Sequence, residues 1–186
     1  MNTVAYSMAI IKELESTLSK ISPKEAEKLA DSILQSKKIF AVGAGRTGFM
    51  IKAFAMRLMH MGFEAYVVGE TITPNIEKGD LLLIGSGSGE TGSLVTMAHK
   101  VKKIEANLAL VTIFPLSSIG QMADIVIKVP APTPKVEVET GFKSIQPMGS
   151  LFEQSLLLLL DAVILQLMDK RGKDSNTMFT RHANLE

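Results

Sequence analysis

Cysteine and tryptophan are both missing from this 186-residue chain. Without cysteine, disulfides and thiolate metal sites are excluded, and a reducing compartment such as the cytoplasm is compatible. Neither charge is in excess, with 20 basic residues against 19 acidic. No basic field therefore points to a nucleic-acid partner. Met1-Asn2-Thr3 lacks the basic start and apolar core of a signal peptide, so none is expected. No long hydrophobic run stands out either. Leu156–Leu160 is strongly apolar, but Glu153 and Asp161 bracket it. The run is too short to span a bilayer and is expected to be a buried helix rather than a membrane segment. No internal repeat or linker divides the chain, whose length suits one α/β domain with a real core.

Glycine, by contrast, is concentrated where it can act. Gly85-Ser86-Gly87-Ser88-Gly89-Glu90-Thr91 follows the apolar run Leu81–Ile84 and precedes a segment with helical spacing. It reads as a strand, a tight loop and a helix start. Three glycines let the backbone turn sharply and approach a ligand. The helix start offers unpaired N–H groups and the positive end of a dipole. Ser86, Ser88 and Thr91 add hydroxyls, and together these make a phosphate cradle. An ordinary turn with Ser88 or Gly89 capping the helix is the plainer alternative.

The rest of the chain reads as alternating strands and helices. Val4, Met8, Ile11, Leu14, Leu18 and Ile21 form one helical stripe, suited to packing on the chain's own sheet or on a second subunit. Ser22-Pro23-Lys24-Glu25 is a helix start with a capping box, followed by Ala26, Leu29, Ala30 and Ile33. Strands are expected at 39–42, 65–68, 81–84, 108–113 and 125–129. Helices are expected from the first glycine loop to about Met61, from about Gly92 to Glu105, over 119–123, and from Ser150 to about Lys170. Unbroken apolar strands alternating with helices predict a parallel sheet covered on both faces. Right-handed crossovers place the loops at 43–48 and 85–91 on one carboxyl edge. Pro130–Pro147 carries four prolines and a mixed-charge run, Lys135–Glu139, and is expected to be a long surface loop. By this reading residues 1–36 are N-terminal helices of the same domain, and residues 37–186 carry the sheet, the C-terminal helix and the tail.

Gly43-Ala44-Gly45-Arg46-Thr47-Gly48 spells G-x-G-x-x-G between a strand and a helix. Glu70, ending the next strand, stands where a ribose-binding acid would belong in a nicotinamide-dependent oxidoreductase. That reading leaves the second Gly/Ser loop without a task, whereas one phosphorylated ligand held between two loops uses both. Arg46 adds a charge to the first loop, or pairs on the surface with Glu70 or Glu90.

The loops GAGRTG and GSGSGET, together with QPMGSLFEQ (146–154), resemble the sugar isomerase (SIS) domain family. FAMRLMHMGF (54–63), VGETITP (68–74) and the ending RHANLE (181–186) are similar to its 6-phospho-3-hexuloisomerase branch along nearly the whole chain. Lys135–Phe142 matches least well. The resemblance implies an α/β fold: a single SIS domain with a five-stranded parallel sheet flanked by helices on both faces, usually in a homotetramer. It implies conversion of D-arabino-hex-3-ulose 6-phosphate to D-fructose 6-phosphate through a cis-enediol, in formaldehyde fixation by the ribulose monophosphate route. No metal or organic cofactor is expected. A non-catalytic sugar-phosphate sensor on the same domain is the alternative. Carried over by position, Thr47 and Gly87, Ser88, Gly89, Glu90, Thr91 and Gly92 bind substrate, with Ser86, and Gly43, Gly45 and Arg46 are further candidates. Glu153 matches the catalytic base. Spacing alone reads Ser150-Leu151-Phe152-Glu153 as a capping box, in which Glu153 bonds back to Ser150. His60 is expected to be structural and His99 exposed, while His182, in the tail, could reach a neighbour's site.

Overall fold

The structure is a computed structural model that describes residues 2–133 and 143–185. The mixed-charge run at 135–139 and the weakly matching stretch at 135–142 lie outside the described residues. Strands β1 (Lys38–Gly43), β2 (Glu64–Val67), β3 (Leu81–Gly85), β4 (Asn107–Thr112) and β5 (Ile125–Lys128) form one parallel sheet. Its order is β2-β1-β3-β4-β5. The helices are α1 (Thr3–Leu18), α2 (Pro23–Gln35), α3 (Gly45–His60), α4 (Gly92–Ile104), α5 (Ser118–Met122), α6 (Ser150–Arg171) and α7 (Ser175–Phe179).

The period of two along each strand divides the core. Ile39, Ala41, Leu81, Leu83, Ala109 and Val111 face the layer built from α2, α3 and α6. Phe40, Val42, Leu82, Ile84, Leu108 and Leu110 face α4 and α5. Both faces are covered, which is why these strands read as unbroken apolar runs rather than as alternation. Each fully buried Leu, Ile or Phe contributes roughly 1.5–3 kcal/mol.

Helix α6 is apolar nearly all round because α1, α2 and α3 pack along it. The Leu156–Leu160 run belongs to this 22-residue helix, which is packed in the core, as the sequence predicts. By length and composition the helix could cross a bilayer. Here it is a core helix, burying Leu151, Phe152, Leu156, Leu159, Leu160, Val163, Ile164 and Leu167. Helix α1 divides its stripe. Leu14 and Leu18 pack on the core, while Val4, Met8 and Ile11 are 70%, 52% and 53% exposed. The expected box at α2 is half formed: Ser22 Oγ accepts from Glu25 N at 3.4 Å, but the Glu25 carboxylate pairs with Lys28 at 3.0 Å.

Register places the site. Gly43 pairs with Gly85, so the loops after β1 and β3 leave the sheet side by side. The chain passes from β1 outward to β2 and then returns to β3 on the other side of β1. The two loops therefore flank the switch point of the sheet, where ligands bind in open α/β folds.

Candidate functional site

A cleft of about 440 Å³ opens at this switch point, walled by Gly45, Arg46 and Thr47 from the first loop and Ser86, Gly87, Ser88 and Thr91 from the second. Ile113, Phe114, Met148, Phe152 and Glu153 complete it. The first loop is shaped by two glycines. Gly45 has φ +57°, a left-handed conformation that a side chain resists. At Gly48 a Cβ would lie 2.6 Å from the Gly43 carbonyl oxygen, so α3 starts pressed against β1.

The second loop is held by the segment after β4. Gly87 O accepts from Ile113 N at 3.1 Å and from Thr112 Oγ1 at 3.1 Å, and Gly89 O accepts from Ile119 N at 3.3 Å. Within the loop, Ser86 Oγ accepts from Gly89 N at 3.1 Å and Ser88 Oγ accepts from Glu90 N at 3.2 Å. Each hydroxyl keeps its own hydrogen to donate. Neither Ser88 nor Gly89 caps α4. The N-cap is Thr91, and no side chain closes that helix end.

Arg46 joins the first loop to α6. Its Nη1 donates to Glu153 Oε2 at 2.7 Å and to Ser150 Oγ at 2.9 Å. The Arg46 side chain is 50% exposed and that of Glu153 15%, and both residues line the cleft wall. Two sequence expectations are corrected here. Arg46 does not pair with Glu70 or Glu90, because Glu70 is engaged by Lys52 at 2.8 Å and Glu90 accepts from Ser118 N at 2.6 Å. Nor does Glu153 form a capping box with Ser150. Gly149 is the N-cap, Ser150 is the first helical residue, and the Ser150 hydroxyl serves Arg46.

The cleft gathers Gly45, Arg46, Thr47, Ser86, Gly87, Ser88, Thr91 and Glu153 among the residues expected from sequence. Gly43, Gly89, Glu90 and Gly92 are not on its lining. Gly43 lies under Gly48, and a Cβ at Gly89 would meet Ser117. The Glu90 carboxylate closes the N-terminus of α5, and its bonds from Ser118 hold its pKa below the ordinary carboxylate value. Phe114 escaped sequence reading, Met148 was read only as part of a motif, and Ser150 was read as a helix cap rather than a partner of Arg46. Phe114 follows a strand end, and the rule that sites gather at carboxyl ends could have flagged it.

His182 lies elsewhere in its own chain. It stacks on His60 (5.6 Å between centroids) and on Phe179 (5.7 Å). These rings border a second cavity of about 390 Å³ at the far end of α3. His60 is 5% exposed, and its Nδ1 is 3.3 Å from Arg57 Nη1. Burial, then the charge of Arg57 and of His182, holds its pKa below the usual histidine value. His99 is exposed, as expected.

Helix N-termini separate into two kinds. Asn2, Ser22, Ser117 and Asp174 each accept a backbone N–H as side-chain caps of α1, α2, α5 and α7. Helices α3, α4 and α6, whose N-cap residues Ala44, Thr91 and Gly149 border the cleft, have no side-chain cap. Their open N–H groups and dipoles converge on one space, which is an anion-binding arrangement.

A doubly wound sheet with a Gly/Ser loop at its switch point defines a class. The sequence model of the SIS domain family matches residues 32–158, and the chain belongs to this family. Within it, the chain is 56% identical over 186 residues to a 3-hexulose-6-phosphate isomerase of Bacillus subtilis, covering all of both chains. A 3-hexulose-6-phosphate isomerase of Methanocaldococcus jannaschii is 40% identical over 159 residues, covering 86% of this chain and 83% of that one. A crystal structure of a Methanococcus jannaschii protein, described as implying the same function, superposes with a TM-score of 0.85 at 35% identity. That match covers 98% of this chain and 99% of the other.

Proposed function

We propose that this chain interconverts D-arabino-hex-3-ulose 6-phosphate and D-fructose 6-phosphate through a cis-enediol, with Glu153 as the base. Full-length identity to the Bacillus enzyme supports the activity. The observation that carries the site assignment is Glu153 beside Arg46 on a wall of the cleft toward which three uncapped helices point.

The phosphate binds to the second loop, where Ser86, Ser88, Thr91 and the open N–H groups of α4 donate to its oxygens. This end of the sugar does not react, so its binding energy positions the carbons that do. Glu153 removes the proton from C2. The C–H electron pair becomes the C2=C3 bond, and the C3 carbonyl oxygen gains charge and then a proton. Collapse of the enediol releases the O2 proton and forms the C2 carbonyl, while Glu153 returns its proton to C3. One carboxylate on one face performs both transfers. The Arg46 guanidinium keeps Glu153 in place and lies next to where oxygen charge develops, so it stabilises the enediolate. Thr47, on the first turn of α3, binds a sugar hydroxyl.

Supporting roles fall to residues off the lining. Gly43, Gly89, Glu90 and Gly92 shape the loops. Residues 1–36 are an integral part of the domain. The protein works in the cytoplasm, in formaldehyde fixation by the ribulose monophosphate route, and assembles as a homotetramer. The exposed Val4, Met8 and Ile11 of α1 and Leu165 of α6, 62% exposed, support that assembly. In a tetramer His182 could meet a neighbour's cleft. Glu70, the acid a nicotinamide reading requires, is paired with Lys52 and is not on the cleft lining.

A coupled assay tests the reaction: purified protein with hexulose 6-phosphate, fructose 6-phosphate being read out as it forms. Turnover supports the reading, and no turnover sinks it. Sedimentation at micromolar concentration tests the assembly, and a monomeric mass rejects it.

A further inference from the structure

Glu13 lies on α1, outside the stretch 32–158 that the SIS model matches. Both of its carboxylate oxygens are occupied by one distant segment. Oε1 accepts from Ile145 N at 2.7 Å. Oε2 accepts from Ser144 Oγ at 2.7 Å and from Gln146 Nε2 at 3.0 Å. Ser144 Oγ in turn accepts from Gln146 N at 3.0 Å, closing a small network. Burial works to raise the Glu13 pKa, but the bonds from Gln146, Ile145 and Ser144 together outweigh it and hold the pKa below the ordinary value.

The segment that Glu13 holds leads directly into the site. Pro147 O accepts from Ser150 N at 3.2 Å. Met148 stands at φ +56°, a left-handed conformation that a non-glycine residue keeps only where its surroundings impose it. Met148 and Gly149 line the cleft, and Gly149 O accepts from Glu153 N at 3.0 Å. We infer that Glu13 is a positioning residue for the reaction: from α1 it clamps residues 144–146, and so fixes the cleft wall at Met148 and the first turn of α6 that presents Ser150 and Glu153. Helix α1 is then part of the active machinery rather than a cover on the domain. The kinetic part of this inference rests on the isomerase reading above; the clamp itself does not.

Two readouts on the full-length protein test it separately. In Glu13→Ala and the isosteric Glu13→Gln, amide hydrogen exchange over 144–150 should accelerate, while exchange in β3 and α4 stays as in the parent. Turnover should fall roughly 10–100-fold, the scale of a small misplacement of reacting groups. KM should move less than about threefold, because the phosphate cradle belongs to the other loop. The losses from Glu13→Ala and Gln146→Ala should be strongly non-additive, since they break one network. Lys170→Met, which removes a tie of α6 to Asp31 at 2.8 Å away from the cleft, should alter neither constant. If Glu13→Ala does not fold, Glu13→Gln decides. Unchanged exchange over 144–150 overturns the clamp. Turnover within about twofold of the parent, or losses that simply add, overturns its role in the reaction. A parent protein without isomerase activity overturns the isomerase reading instead, and exchange alone then decides the clamp.

Discussion

At the amino-terminal edge of the sheet, Asp80 is 0% exposed and accepts from Lys38 N at 3.1 Å and Glu77 N at 2.8 Å, with Lys38 Nζ 3.4 Å away. Nearby, Asp124 accepts from Leu108 N at 2.9 Å and pairs with Lys102 at 2.6 Å. Strand starts at this edge are closed by the chain's own carboxylates. At the carboxyl edge α3, α4 and α6 begin with no side-chain cap, although side chains cap the other four helices. The same kind of group, a backbone N–H, is satisfied at one edge and left open at the other. A closed N–H stabilises the fold. An open one lowers stability slightly and is ready for a ligand's oxygen. The exception at the carboxyl edge is α5, where Ser117 and Glu90 occupy the N-terminus, and Glu90 is not on the cleft lining.

The contrast is sharpest in Glu153→Gln. Turnover should fall by roughly 10²–10⁴ with melting temperature nearly unchanged. Near-normal turnover would remove Glu153 as the base. The mirror experiment at the other edge is Asp80→Ala. It leaves Lys38 N and Glu77 N without their acceptor and should lower stability by about 3 kcal/mol in denaturant titration. Turnover well below the melting transition should be unaffected, and a kinetic defect there would show that the edges are not independent.

A third substitution converts one kind of helix end into the other. Ala44→Asp places a carboxylate cap on α3, which should stabilise the fold by about 1 kcal/mol. The new anion competes with the substrate's charge, so KM should rise roughly tenfold, the equivalent of one charge-assisted hydrogen bond. A gain in stability with unchanged KM would mean that α3 does not contribute its N-terminus to the ligand.

The smallest effect is expected from pH, at the far end of α3. Burial first, then Arg57 and His182, depresses the His60 pKa in the folded state. Between the folded value and the unfolded value near 6.5, the unfolded chain binds more protons. The stability His60 contributes is therefore present above the unfolded value and lost as pH falls through the folded one. Denaturant midpoints should decline from about pH 7.5 to about 5.5, and less steeply in His60→Gln. An identical slope in the variant would place the acid sensitivity elsewhere.

Much of the site was legible because its loops are local in sequence. A glycine loop between an apolar run and a helical stripe has few readings, and Gly45 and Ser86 needed no partner to be recognised. Glu153 was harder. Its spacing from Ser150 fits a capping box, and only the family resemblance favoured catalysis. What resolved the Ser150 hydroxyl was Arg46, more than 100 positions away, which no local pattern can supply. Glu13 stayed hidden for the same reason: on α1 it looks like any acid on a solvated helix face, and its donors lie at 144–146.

By itself the sequence determined the strands, the helices and the parallel sheet, because buried strands must be apolar on both faces and glycines must stand where the backbone turns. Tertiary structure decided which ends meet. Pairing Gly43 with Gly85 set two loops side by side, and docking α6 against α3 brought Glu153 to Arg46. Those contacts depend on register and packing between distant segments. That is where open helix ends are brought together and a carboxylate meets a guanidinium.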